Sequence, residues 1–559
     1  MKIKPSLFTL ILLLCFNHYV DAQTKQIDKF QTKINTAVKK AYGASVRMWG
    51  FDVQQNQRTS AQFSGVVVSA DGYILTAAHT IIPGKNYKVF FPDGKECIAM
   101  ALGRIDNKET PGIPDVGMMK IVDKGVWPFA EMGFSSSLVK NEPCISISYP
   151  ESLNQNLPTL RLGRIEEVRN TYGFIRSSCK MEPGDSGGPL FDYMGRVIGL
   201  HSAIDVSEDQ NFEIPIDLYR KYWTALNLGY NYNRFPENKD SVAVDPMQKI
   251  IQQENESMLL KTDFSRIKPA SNVSFVIESN LKGSLANIGA TLINFQSLNG
   301  EKKQVFFSKN TMVGSNPVVV MGGVKMPLKI IAKDQDDDLI LLQTDKNIDG
   351  GIHLSSAGNE QKIEMGKFLY TVMPDGGLTH CILSSSVFSL PKVVSQAYLG
   401  AMVVYNSSPI QFSLIKPDGP AGRAGLKVGN ELVSINGKSL TKANEFAPAI
   451  LNFWADDEVT FEWTSDGIKK TKIIPLEQKA QAVFNHPAEQ FEGGKSVRRD
   501  GFEQVFAQDG AIKPTACGTP VFDLKGNFYG INIARFSRTA TICMPTKVLL
   551  SFMGKALMR

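Results

Sequence analysis

Ser186 stands in GDSGGPL (184–190), where glycines let the backbone turn tightly around a hydroxyl. A serine hydroxyl is a weak nucleophile and needs a base to take its proton. His79, in TAAH (76–79) at the end of an apolar run, can be that base. Asp115 opens the apolar stretch DVGMMKI (115–121) and can orient the imidazole and stabilise its cation. An attacked carbonyl also needs paired backbone N–H groups for its oxyanion, here those of Gly184 and Ser186. Taken singly, each residue has a structural reading: a histidine ending a strand, an aspartate in a solvated turn, a serine in a loop. Together, in the order His79, Asp115, Ser186, they predict acyl transfer through a serine. Asp106, just before the loop that leads to Asp115, is the competing candidate for the third role.

The chain has 559 residues, 43% of them hydrophobic and 21% charged, which fits three or four folded domains and excludes a disordered or coiled-coil chain. A net charge of +6 over this length gives no argument for nucleic acid. The start, MKIKPSLFTLILLLCFNHYVDA, has basic Lys2 and Lys4, an apolar run from Leu7 to Phe16 and a small-residue cleavage site ending at Ala22. It reads as a signal peptide over 1–22, with a secreted or periplasmic product. Lipidation at Cys15 is the alternative, but Leu12-Leu13-Leu14 lacks the small residues that such a site prefers. No later stretch is long and apolar enough to cross a bilayer, so an integral membrane protein is not expected. Cleavage leaves six cysteines, whose wide spacing dictates no pairing, and disulfides and free buried thiols both stay open. With no CxxC and no HExxH, no metal site is expected, and the chemistry calls for no cofactor.

Ile27, Phe30, Ile34, Val38 and Ala41 form one helical stripe, after which short apolar runs split by Asp-Gly turns predict antiparallel sheets. Helical spacing returns at 216–226 and around 247–260, and the polar stretch 229–245 reads as a linker. An internal repeat is the most informative feature. GDSGGPLFDYMGRVIGL (184–200) is echoed by ACGTPVFDLKGNFYGIN (516–532), PDVGMMKI (114–121) by DDLILLQT (337–344), and YILTAAHTI (73–81) faintly by QVFFSKNTM (304–312). This alignment puts Asn310, Asp338 and Cys517 at the positions of His79, Asp115 and Ser186. Asn310 cannot accept a proton, so the second copy reads as catalytically degenerate. Its alternative is a thiol enzyme at Cys517 with an unaligned base, His380 or His486. About 90 extra residues interrupt the second copy, and IKPDGPAGRAGLKVGNELVSINGKSL (415–440) within them fits a small αβ module.

SGVVVSADGYILTAAH (64–79), PDVGMMKI, EPGDSGGPL (182–190) and NFEIPI (211–216) resemble, in order, the signatures of trypsin-like serine proteases of the bacterial HtrA/DegP type. The resemblance implies a mainly β fold in which a trypsin-like double β-barrel with the triad between its barrels occupies 27–230. It further implies a linker over 231–265, a degenerate protease-like domain over 266–395 and 479–559, and a PDZ-like domain inserted at 396–478. The implied activity is endopeptidase cleavage of unfolded or partly folded polypeptides, with the runner-up a peptide-binding or chaperone-like protein whose protease domain stays latent. Residues 398–402 (YLGAM) match a PDZ carboxylate loop, so Leu399, Gly400 and Ala401 would bind C-terminal peptides, unless the groove is closed by packing. Trimers are common in the family, and a homo-oligomer is an expectation of the resemblance alone. Asp185 departs from the family, which usually has Asn there; digestive trypsins pair such an Asp with a newly cut N-terminus, but no activation sequence precedes this domain. His201 and Lys180 resemble a cationic specificity pocket that would favour acidic residues, with Glu213 a potential neutraliser. Small apolar residues are the family's usual preference.

Overall fold

The computed structural model describes residues 26–106, 114–254, 271–297, 299–355, 361–480 and 485–557. The signal peptide expected over 1–22 lies outside them, as does the second half of the helix expected at 247–260.

The Asp-Gly turns divide the first half into short strands that close two barrels. In the first, Glu96–Ile105, Asn86–Phe90, Ser45–Asp52, Phe63–Val67, Tyr73–Ala77 and Val116–Ile121 pair in that order, and the last strand pairs back onto Glu96–Ile105. The second closes in the order Ile175–Ser177, Asn211–Pro215, Val197–Ile204, Pro189–Asp192, Pro143–Ser148, Thr159–Glu167. The expected mainly β fold with a double barrel is therefore present in the first half.

The helical stripe folds as a helix over 26–41 that buries Phe30, Ile34, Ala37, Val38 and Ala41. It joins the two copies: Phe30 packs on Phe368, ring centroids 5.3 Å apart, and the Gln31 side chain donates to the Gly366 carbonyl and accepts from the Phe368 amide, both at 2.5 Å. The stretch expected to be a free linker is tied down instead. Asn231–Tyr232 pairs in parallel with Arg104–Ile105, and buried Asp245 accepts from Arg196 at 3.1 and 3.2 Å and from Ser137 at 2.9 Å. Its polarity serves buried hydrogen bonds, which sequence polarity alone does not distinguish from solvation. The helical pattern at 216–226 yields two short helices, Ile216–Lys221 and Trp223–Asn227, broken at Tyr222.

The second half repeats the first strand by strand, in an eight-stranded and a seven-stranded sheet that stay open among the described residues. Repetition extends to the register. Gly199 faces Pro215, His201 faces Glu213, a bulge intervenes, and Ile204 faces Asn211; Gly530 faces Pro545, Asn532 faces Cys543, the same bulge intervenes, and Arg535 faces Thr541.

A separate compact unit comprises 389–485 and 496–503, slightly wider than the expected 396–478. Its four-stranded sheet orders Lys438–Ser439, Glu431–Ile435, Glu458–Ser465 and Ile468–Pro475, and its core includes Phe412, Phe446, Phe461 and Trp463. The added segments belong to it because Asp500 accepts from the amides of Val393, Val394 and Ser395 at 2.8, 2.6 and 2.9 Å.

Phe30→Ala should cost about 3–5 kcal/mol, as truncation of a fully buried aromatic does, and chemical denaturation of the variant beside the wild type checks this.

Candidate active site

Strands Tyr73–Ala77 and Val116–Ile121 pair with Ala77 opposite Val116, so the residues just beyond that pair, His79 and Asp115, meet at one barrel end. A single 3-10 turn, Ala78–Thr80, presents His79. The His79 amide donates to Asp115 Oδ2 at 3.2 Å, and Nδ1 hydrogen-bonds the same oxygen. The other carboxylate oxygen accepts from the Ser202 hydroxyl at 2.5 Å, a partner that the sequence reading missed. Asp106 is turned away to the Arg104 guanidinium, 3.6 Å off. Burial works to lower the His79 pKa, but the hydrogen bond and charge of Asp115, with Asp106 adding to them, outweigh it and raise the pKa above the usual value.

Ser186 comes from the second barrel, in the turn before Pro189–Asp192, where its carbonyl accepts from the Ser64 amide of the first barrel at 2.9 Å. His79 and Ser186 line one cavity of about 500 Å³ without hydrogen-bonding each other. Such contacts are often loose before substrate binds.

The geometry of the turn decides what Ser186 can do. The Pro183 carbonyl accepts from the Glu151 amide at 2.8 Å. A trans peptide points its C=O and N–H in opposite directions, so this bond turns the Gly184 N–H away from Glu151. The amides of Gly184 and Ser186 meet no acceptor among the described residues, which leaves both for an oxyanion. Gly184 has φ +98°, and a Cβ there would lie 2.4 Å from the Glu151 nitrogen. Asp185, fully buried, anchors the turn by accepting from Arg161 at 2.7 and 3.1 Å, from Ser148 at 2.8 Å and from the Glu182 amide at 2.9 Å. Arg161 projects inward from Thr159–Glu167, so the cation that pairs with Asp185 is an internal guanidinium. Burial works against the Arg161 charge, but Asp185 more than compensates and the guanidinium holds its proton more tightly than usual.

Residues 63–200 match the trypsin-like peptidase domain family, and residues 411–452 match the PDZ domain family. The chain is a trypsin-like serine endopeptidase with a PDZ domain. It is similar to a probable periplasmic serine endoprotease DegP-like of Pseudomonas fluorescens, 26% identical over 397 residues covering 68% of this chain and 72% of the relative. A relative with the same description from Bartonella henselae is 25% identical over 404 residues, covering 70% and 69%. Serine protease HTRA1 of Xenopus tropicalis is 33% identical over 182 residues, covering 31% and 37%.

The residues expected to make a cationic specificity pocket do not form one. His201 is fully buried under its strand, with Nε2 2.6 Å from the Ser146 hydroxyl and Nδ1 3.7 Å from Glu213. Glu213, also fully buried, accepts from Ser177 at 2.5 Å, and burial pushes its carboxyl up to about 7 despite His201. Lys180 pairs with Glu208. Neither His201 nor Glu213 lines the cavity beside Ser186; Met181, Ala203 and Ile204 do, and His486, from the segment after the PDZ insert, adds to its wall.

In the endopeptidase's second copy, register corrects the expected correspondence. Lys309 faces Leu339 as Ala77 faces Val116, so Thr311, and not Asn310, stands at the place of His79. Its amide and hydroxyl donate to Asp338 at 2.8 and 2.9 Å, as His79 binds Asp115. The faint echo between 73–81 and 304–312 carried too few matching residues to resolve a shift of one. Buried Lys309 lies 2.6 Å from Asp338 and claims the carboxylate. Cys517 is fully buried in an apolar cluster with Ile288 and Phe306, and its amide donates to the Pro514 carbonyl at 3.2 Å, where the first copy leaves the Ser186 amide open. His486 lies on the Ser186 cavity, and His380 lines a small cavity beside Cys381. The thiol-enzyme alternative thus has a buried thiol, and the two histidines weighed as a base for it line other cavities. All six described cysteines are free thiols.

In the PDZ unit, Leu399 is buried, Gly400 has φ +78°, and its amide meets no acceptor. Among the described residues, strand Ala401–Val403 pairs only with Phe412–Ile415, which leaves its other edge open within the unit, beside exposed Met402 and Tyr405.

Arg161→Gln should lower kcat by about 100-fold or more, the scale of losing one oxyanion donor, because unpaired Asp185 would seek another partner. Pairing it with Asp185→Asn should restore most of the rate by removing the buried charge. Hydrolysis of a peptide amide by the single and double variants checks this.

Proposed function

We propose that Ser186 attacks the substrate carbonyl, with His79 as base and then acid and Asp115 as its orienter, to form and hydrolyse an acyl-enzyme. The proton moves from Ser186 Oγ to His79 Nε2 and on to the leaving amine, and the Gly184 and Ser186 amides receive the developing oxyanion. The observation that carries this reading is the Pro183 carbonyl bound by Glu151, which leaves both amides open before any substrate arrives. That favours an endopeptidase with its oxyanion hole already formed over a latent, purely peptide-binding protein.

The substrates in this reading are unfolded or partly folded polypeptides, and the name of the relatives, periplasmic serine endoprotease, suggests the compartment. The PDZ unit recruits them by adding an extended C-terminal peptide to the open edge of Ala401–Val403, with the carboxylate at Leu399, Gly400 and Ala401. Met181, Ala203 and Ile204 on the cavity wall favour an apolar residue before the scissile bond over an acidic one.

The test is degradation of casein with the cleavage sites read by mass spectrometry. Wild type and Cys517→Ala should cut, mainly after apolar residues, and Ser186→Ala should not. Cutting retained in Ser186→Ala, or no cutting by wild type even with added C-terminal peptides, would overturn the proposal.

The reaction needs neutral His79. Because its pKa is raised, the acid limb of the kcat/KM profile should lie above the ordinary histidine value of about 6.5, with activity lost as pH falls through it. Asp115→Asn should move that limb to lower pH and reduce kcat by about 10⁴; a pH–rate series on both proteins reads the two effects.

A further inference from the structure

The degenerate second copy lacks a nucleophile, a base and an open oxyanion hole, yet its counterpart of the loop after Val197–Ile204 is placed against that loop itself. Residues 205–210 connect Val197–Ile204, whose Ser202, Ala203 and Ile204 line the Ser186 cavity, to Asn211–Pro215. Most of this loop is exposed. Arg538, in the equivalent turn of the second copy, is fully buried, and its guanidinium donates to the carbonyls of Asp205 and Ser207, each at 3.0 Å, and to Asn211 Oδ1 at 3.5 Å. Arg535 fixes the turn by donating to the Arg538 carbonyl at 2.7 Å and the Gly510 carbonyl at 3.1 Å. A second tie comes from the Glu492 amide, which donates to Glu208 at 2.8 Å.

What the loop holds matters for the cavity. Asn211 Oδ1 accepts from the amide of Met181, a wall residue, at 3.3 Å, and Asn211 Nδ2 donates to the Glu208 carbonyl at 2.8 Å. Glu208 pairs with Lys180, the residue before Met181. One guanidinium therefore sits at the head of a short hydrogen-bonded chain that reaches Met181 on one cavity wall and holds Asp205, the residue after Ile204 on the other.

We propose that Arg538 is a positioning residue for the substrate pocket, so that the non-catalytic copy serves as a built-in prop for the catalytic one. The inference rests on the reading of Ser186 as the nucleophile. Arg538 touches no reacting atom; it fixes 205–211 and through it the pocket walls. Without it, the loop carbonyls turn to water and the pocket loses its shape, while Ser186, His79 and the Pro183–Glu151 bond stay in place.

The test compares Arg538→Gln and Arg538→Lys with the wild type in the full mature chain. One probe is a peptide amide with an apolar residue before the scissile bond; the other is a small alkyl fluorophosphonate, which needs the nucleophile but little of the pocket. For Arg538→Gln, kcat/KM on the peptide should fall by about tenfold or more, the scale of losing one or two charge-assisted hydrogen bonds, chiefly through KM. Its fluorophosphonate reaction should stay within about threefold of wild type, a shift too small to signal a lost catalytic contact. Arg538→Lys should recover part of the peptide activity, and hydrogen exchange should rise at 205–211 in both variants. Unchanged peptide kinetics would overturn the proposal, as would a parallel loss of both reactions with a lowered melting temperature, which marks a merely structural role. Failure of the wild type to react with the fluorophosphonate would instead overturn the reading of Ser186.

Discussion

A buried carboxylate, Asp185, sets the conformation of the turn that carries Ser186. A charge with no solvent access must be paired, and Arg161 pairs it from an adjacent strand. With Asp185 fixed, the turn that carries Gly184 and Ser186 has one place to lie, and the Pro183 carbonyl meets the Glu151 amide. In digestive trypsins the cation for this carboxylate arrives only when a new N-terminus is cut. Here it is part of the strand Thr159–Glu167 and is present as soon as the barrel closes. The open pair of amides at Gly184 and Ser186 is thus set by the fold itself.

The two copies share one fold and differ in few places. Strand order, register and even the bulge after His201 and Asn532 persist. The differences lie in a few polar choices. Lys309 takes the carboxylate that in the first copy orients an imidazole, Ala516 replaces the anchoring Asp185, and the Cys517 amide closes a tight turn. With no buried charge to hold the turn open, the backbone satisfies its own hydrogen bonds.

Much of this was legible in the sequence. His79, Asp115 and Ser186 announce themselves because their motifs combine apolar strands with short polar turns, and the duplicated order survives where single residues do not. Arg161 went unread, although a charged residue at an inward position of an alternating strand is a signal that something buried needs it. Arg538 gave no such signal: its turn, RFSRTA (535–540), is polar and looks solvated, and only the folded chain brings it to Asp205 and Ser207. The same blindness made 229–245 read as a free linker, since a residue that bonds inward and one that bonds to water have the same composition. His201 misled for the opposite reason: its position on the pocket strand is as read, but its ring turns under the strand to Ser146 and Glu213. The one-residue error at Asn310 shows that weak sequence echoes fix order and leave register to the hydrogen bonds.

If the Arg161–Asp185 pair sets the Ser186 turn, that turn receives an oxyanion without zymogen cleavage. The most direct measurement is a crystal structure of the mature chain soaked with a peptide boronic acid that has an apolar residue at its reactive end. The expected result is a tetrahedral boron on Ser186 Oγ, one boron-bound oxygen accepting from the Gly184 and Ser186 amides, and the Arg161–Asp185 pair intact. A Pro183–Gly184 peptide turned so that its carbonyl fills that position, or an adduct on any other residue, would contradict it.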